Sequence, residues 1–190
     1  MRTTFFHPLV LAAALGLGLM GQAGAAQYTS LDDAASSIQF GYSQMNVKMD
    51  GRFAELKASE LSFDPARPEA ANVSIEVVLS SIDAGYAEAN SELEKDEWLA
   101  LATHPAATFT SRKVESLGEN RYQVTGALTI KGVTKEVTAP FTLEEDGDVA
   151  VFAGNFTFQR ADFGIGEGQW EDFGIVANDI QIRFNIVAKP

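Results

Sequence analysis

Tyr122-Gln123-Val124-Thr125-Gly126-Ala127-Leu128-Thr129-Ile130-Lys131-Gly132-Val133-Thr134-Lys135-Glu136-Val137 is the stretch on which the fold turns. Tyr122, Val124, Leu128 and Ile130 alternate with Gln123, Thr125 and Thr129, a period of two that puts one set of side chains on each face of a strand. Lys131-Gly132 breaks the run with turn chemistry, and a weaker run follows over 133–143. The segment predicts two antiparallel strands joined by a short connection.

The same pattern recurs outward in both directions. Ile38, Phe40 and Tyr42 alternate with polar or small residues, as do Val73, Ile75, Val77 and Leu79. Phe152, Phe156 and Phe158 form another such set, and Ile180, Ile182, Phe184 and Ile186 a fourth. Weaker runs cover 53–63 and 108–114. Asp50-Gly51 reads as a tight hairpin, and Asp64-Pro65, Gly118-Glu119-Asn120 and Asp146-Gly147-Asp148 separate other runs. The reading is all-β: about eight strands in an antiparallel meander, the number at which a closed barrel holds side chains or one small ligand. One segment differs. Residues 91–102 read as a helix, with Ser91 and Glu94 as a capping box and His104-Pro105 beyond its end. Asp-Phe-Gly-Ile occurs twice, at 162–165 and 172–175, and reads as two similar turns in one long loop.

The N-terminus reads as a leader rather than part of the fold. Arg2, the apolar run Leu9–Met20 and Ala23-Gly24-Ala25 have the layout of a secretory signal peptide cut after Ala25. The run is too short to span a bilayer, which takes about 20 residues. Removing 25 of the 190 residues leaves one domain, 26–190, expected to be soluble in the periplasm. The full chain carries a formal charge of −12, which argues against nucleic acid as a partner. With no cysteine there is no disulfide, iron–sulfur cluster or thiol nucleophile. His104 is the sole histidine after the leader, which leaves no multi-histidine metal site and no evident general base. Catalytic residues are therefore not expected, nor a metal. The acidic group Glu92, Glu94, Asp96 and Glu97 reads as a solvated helix face.

Aromatic residues carry the functional reading. Phe, Ile, Val and Leu on inward faces, with Gly41, Gly126 and Gly154 in the same strands, describe either a filled barrel or one with an apolar cavity. Periodicity leaves that choice open.

Several ordered segments carry a resemblance. They are Ser37-Ile38-Gln39-Phe40, Gly51-Arg52-Phe53, Phe63-Asp64-Pro65, His104-Pro105-Ala106-Ala107-Thr108-Phe109, the stretch 124–137, and Arg160-Ala161-Asp162-Phe163-Gly164-Ile165. Together they resemble the YceI-like family of periplasmic, lipocalin-like, polyisoprenoid-binding proteins. The resemblance implies an eight-stranded antiparallel barrel with one or two short helices around an apolar tunnel. It also implies an isoprenoid quinone, polyisoprenoid or long-chain lipid as ligand. Gly126 would be small where strands crowd, and Gly132 would sit at a hairpin. Residues 85–93 and 162–170 are more similar to the subgroup linked to cytochrome b561-type membrane proteins, which implies such a partner. The alternative reading is a ligand-free module that docks on that partner. The expected lining is Phe40, Tyr42, Phe53, Leu79, Tyr86, Trp98, Phe109, Leu128, Phe156, Phe158, Phe163 and Trp170, with Tyr86, Asn90 and Trp170 as polar handles at the mouth. Arg160 and Asp162 are read as a pair that anchors the strand-to-loop transition, with a bond to a ligand headgroup as the alternative role. Neither a monomer nor a dimer is favoured.

Overall fold

The computed structural model describes residues 26–190, so the leader expected over 1–25 lies outside the described residues. In chain order the elements are β1 (Ser30–Leu31), β2 (Ser37–Gln44), β3 (Val47–Phe53), β4 (Leu56–Ser62), β5 (Asn72–Val78), β6 (Ile82–Asp83), α1 (Ala87–Leu93), β7 (Ala106–Gly118), β8 (Arg121–Ile130), β9 (Val133–Asp146), β10 (Val149–Gln159) and β11 (Asp179–Lys189). Every strand pairing is antiparallel, and the order across the sheet is β4, β5, β7, β8, β9, β10, β11, β2, β3, β6. β3 runs on into β4 across Ala54-Glu55, and β5 into β6 across the 3₁₀ turn Leu79–Ser81. The two bends are stitched together: Ala54 N–H donates to Ser81 O at 3.2 Å and Val78 N–H to Glu55 O at 3.1 Å. Counting each bent pair as one strand, the sheet has eight strand positions and closes on itself through the β11–β2 and β2–β3 pairings.

The segment count exceeds the expected eight because a closing sheet must bend. Ser81 Oγ accepts from Ala54 N–H at 3.1 Å and from Glu55 N–H at 3.0 Å, satisfying backbone donors that the bend takes out of the ladder.

Short two-residue turns close several of the hairpins. Glu119 and Asn120 both have positive φ, as do Met45 and Asn46, and Lys131 and Gly132, the signature of two-residue hairpins that match strand twist. The first hairpin is therefore Met45-Asn46. Asp50-Gly51 lies inside β3, paired with Gly41 and Phe40. What looked like a turn glycine is a packing glycine: a Cβ on Gly51 would lie 2.1 Å from Phe40 Cζ. The Phe40 ring rests flat against the wall in the space a side chain would fill. Gly126 and Gly154 do the same for Phe109 and Phe184, at 2.5 Å each from a built Cβ, and the Gly126 Cβ would also meet Thr110 O at 2.5 Å. Gly51→Ala is expected to displace the Phe40 ring and cost about 1–3 kcal/mol, the usual range for overpacking, read as a lower urea midpoint at unchanged slope.

The helix differs from expectation. It spans Ala87–Leu93, not 91–102, and its N-cap, Tyr86, makes no side-chain capping bond, so the Ser91/Glu94 box does not form. The chain leaves helical geometry because Trp98, Leu99 and Ala100 are drawn into the core, with Ala100 at φ 52°. Burying these three side chains outweighs helix propensity over the same residues. α1 is the one α-helix among the described residues, and no described helix is long and apolar enough to cross a membrane.

At one end the barrel is closed by rings. Phe63 sits edge-on to Tyr122 and Phe152, with centroids 5.4 and 5.0 Å away, and Tyr122 stacks on Phe141 at 5.3 Å. Tyr28, paired to Phe63 by two backbone hydrogen bonds, covers this end and donates its hydroxyl to Glu145. Burial, then the Glu145 bond, pushes its pKa up to about 12, so the phenol stays a donor throughout the ordinary pH range.

Candidate functional site

Between the ring-filled end and the loops at the other end lies a cavity of about 490 Å³. That falls within the roughly 300–1,000 Å³ of small-molecule sites. The barrel is thus hollow, which resolves the choice that periodicity left open. Its walls are the inward faces of the strands, and the lining is overwhelmingly apolar. Polar side chains on the wall gather mainly at the loop end: Gln44 at the tip of β2, Tyr86, Glu88 and Glu92 on and before α1, and Trp170.

Two hydrogen bonds tie α1 across this mouth. Tyr86 Oη–H donates to Gln44 Oε1 at 3.2 Å, and Trp170 Nε1–H donates to Glu92 Oε1 at 3.0 Å. The other Glu92 oxygen accepts from Lys95 Nζ. The Lys95 bond first, then the Trp170 bond, hold the Glu92 carboxyl below its ordinary 4.5. A depressed carboxylate pKa means the latch is intact at neutral pH and is lost only as pH falls through the folded-state value. Trp170 fluorescence is therefore expected to stay constant from pH 8 down to 5 and to change only below about 4.5, the unperturbed carboxylate range. Glu92→Gln is expected to remove that acid transition.

Arg160 builds the loop that frames the other side of the mouth. It is 0% exposed. Its Nε–H donates to Ala177 O at 3.2 Å, Nη1 to Ile165 O and Gly166 O at 2.7 and 2.9 Å, and Nη2 to Trp170 O and Val176 O at 2.6 and 2.9 Å. A guanidinium has five N–H donors, and all are taken by carbonyls of one loop. The group also lies 5.6 Å from the Trp98 ring centroid and 5.1 Å from that of Phe173. Burial lowers its pKa, though a guanidinium remains charged. The expected Arg160–Asp162 pair does not form, because five carbonyls converge on the cation and leave no donor for a carboxylate. Gly166, at φ 78°, is required here, since a Cβ would lie 2.2 Å from Arg160 Nη1. The two Asp-Phe-Gly-Ile copies are dissimilar in place: Phe163 is buried under the barrel rim, and Phe173 is exposed outside it.

Of the thirteen residues expected at the site, the structure places Phe40, Tyr42, Phe53, Leu79, Tyr86, Trp98, Phe109, Leu128, Phe156, Phe158 and Trp170 on the cavity wall. Phe163 and Asn90 are elsewhere. Phe163 stands behind Phe158, its ring edge-on at 5.2 Å, and packs the loop to the barrel. Asn90 turns back, its Oδ1 accepting from Ala84 N–H at 2.7 Å, which fixes the approach to α1. Residues on the wall that were not singled out include Ile182, Phe184 and Ile186 of β11 and Val73 and Ile75 of β5. Their signal was present, since they stand on the same alternating faces. Gln44 continues the inward face of Phe40 and Tyr42 on β2, whereas Glu88 and Glu92 had no such signal, because their place depends on the path of α1.

Residues 29–188 match the family model described as the YceI-like domain. The chain belongs to the YceI-like family. A relative named UPF0312 protein from Azotobacter vinelandii is 31% identical over 92% of this chain and 94% of its own. Another UPF0312 protein, from Shewanella denitrificans, is 35% identical over 82% of this chain and 86% of its own. Among solved structures, Burkholderia cenocepacia BcnA superposes with a TM-score of 0.80 at 36% identity, covering 84% of this YceI-like chain and 99% of BcnA. A polyisoprenoid-binding domain from Saccharophagus degradans superposes with a TM-score of 0.67 at 16% identity, covering 85% and 97%, a likeness of fold alone.

Proposed function

We propose that this YceI-like protein is a periplasmic carrier that holds one apolar molecule in its barrel: an isoprenoid quinone, another polyisoprenoid or a long-chain lipid. The observation that carries the reading is the closed barrel with an apolar cavity of about 490 Å³, plugged by rings at one end and bearing polar groups at the other. A wall of this kind gains from any hydrocarbon it takes out of water, by about 25 cal/mol per Å². The solved polyisoprenoid-binding domain of the same fold supports this ligand class. Export rests on the leader expected at 1–25.

Trp98 and Trp170, the chain's two tryptophans, both line the cavity. Titration with decylubiquinone should therefore quench intrinsic fluorescence saturably at one molecule per chain. Quenching that rises linearly without saturation, as collisional quenching does, would remove the reading.

A second reading is favoured by a separate observation. Met45, Val47, Tyr86 and Phe173 are large apolar residues exposed by 70, 59, 40 and 49%. They are neighbours at the mouth: Met45 N–H donates to Ile175 O at 2.8 Å, and Tyr86 bonds Gln44. Met45 also holds a positive φ of 48°, uncommon for a long side chain. Such a rim suits docking on a membrane protein, for which the sequence resemblance suggests a cytochrome b561-type partner. Met45→Asp with Val47→Asp should abolish co-purification with that cytochrome and leave the quinone titration unchanged. Undiminished co-purification would refute docking through the rim.

A further inference from the structure

We infer that the mouth selects ligands whose polar head is an uncharged hydrogen-bond acceptor and rejects anionic heads; this rests on the carrier reading. Three observations at the mouth converge. First, the cation on the cavity wall, Arg160, has no donor left, because all five of its N–H groups are bonded to loop carbonyls. Its charge is met by five dipoles already aimed at it, so a carboxylate or phosphate entering the cavity finds no free charged donor on its wall to replace its lost water. Leaving such a group unpaired costs far more than leaving a neutral one so.

Second, the carboxylates at the mouth differ in their pairing. Glu92 is occupied on both oxygens by Lys95 and Trp170. Glu88 has no cationic partner among the described residues and stands exposed on the rim. Its unpaired charge opposes the approach of an anion, and like charges at close range cost about 1 kcal/mol in water and several times that near a protein surface.

Third, uncharged donors are available. Gln44 uses its carbonyl to accept from Tyr86, and its amide N–H groups have no acceptor among the described residues. Tyr42 lines the same part of the wall with its hydroxyl turned to Tyr86, which leaves the Gln44 amide N–H groups as the free donors there. A ketone, quinone carbonyl or alcohol oxygen can accept from these groups without shedding a charge.

The test is displacement of the neutral probe N-phenyl-1-naphthylamine at pH 8 by farnesol and by farnesoic acid, which share one chain. Farnesol should displace the probe at a concentration at least tenfold lower than the acid. Glu88→Lys should narrow that gap to threefold or less by improving the acid alone, and Gln44→Leu should weaken farnesol severalfold. Equal displacement by alcohol and acid in the native chain would overturn the inference while leaving the carrier reading standing. If the probe binds and neither compound displaces it, or if no probe binds at all, the carrier reading falls and takes this inference with it.

Discussion

Replacing Arg160 by methionine is expected to cost about 3–5 kcal/mol of folding free energy, the range seen when one partner of a buried charged network is removed. The side chain of methionine has similar length but no donor, so the carbonyls of Ile165, Gly166, Trp170, Val176 and Ala177 lose the group that gathers them. Each buried acceptor left unpaired carries its own desolvation penalty, about 1–3 kcal/mol where water cannot reach it. Arg160→Lys should recover only part of the loss, because an ammonium has three donors against five and lacks the planar fork. The loop also sets Trp170 against Glu92, so the variant should lose the acid transition of Trp170 fluorescence along with stability. Urea unfolding checks the magnitude. A loss below about 1 kcal/mol would mean the loop carbonyls are served by water, and that Arg160 does not organise the mouth.

Filling the cavity is expected to separate binding from folding. Ala139 on β9 is buried and lies on the cavity wall. In a packed core Ala139→Trp would force neighbours off their rotamers at about 1–3 kcal/mol. In a hollow one the indole occupies empty space and gains apolar contact. We expect a folding free energy within about 1 kcal/mol of the parent and at least a tenfold loss of decylubiquinone affinity. A variant that unfolds readily would contradict the cavity. One that folds and binds as before would place the ligand elsewhere.

Much of this architecture was legible in the chain. Period-two runs such as Ile180, Ile182, Phe184 and Ile186 named both the strand and its inward face, because a barrel wall has only two sides and one must be apolar. The same faces supplied most of the lining. What escaped depends on long-range contacts. Asp50-Gly51 looked like a turn because glycine has two uses, and only the Phe40 ring on the facing strand shows which applies. The helix was misplaced because local capping signals at Ser91 and Glu94 compete with the pull of Trp98 and Leu99 toward the core. Phe163 and Phe158 carry the same chemistry, and composition could not say which ring faces the cavity and which stands behind it. Arg160 was singled out, but its partners are backbone carbonyls, which leave no trace in the order of side chains.

The central claim is that the barrel carries an apolar cargo. Native mass spectrometry of protein purified under mild conditions, followed by organic extraction, tests it most directly. The account predicts a single stoichiometric adduct that extracts as a quinone, isoprenoid or other uncharged long-chain molecule. A bare protein mass that persists after incubation with periplasmic lipids and quinones would contradict it.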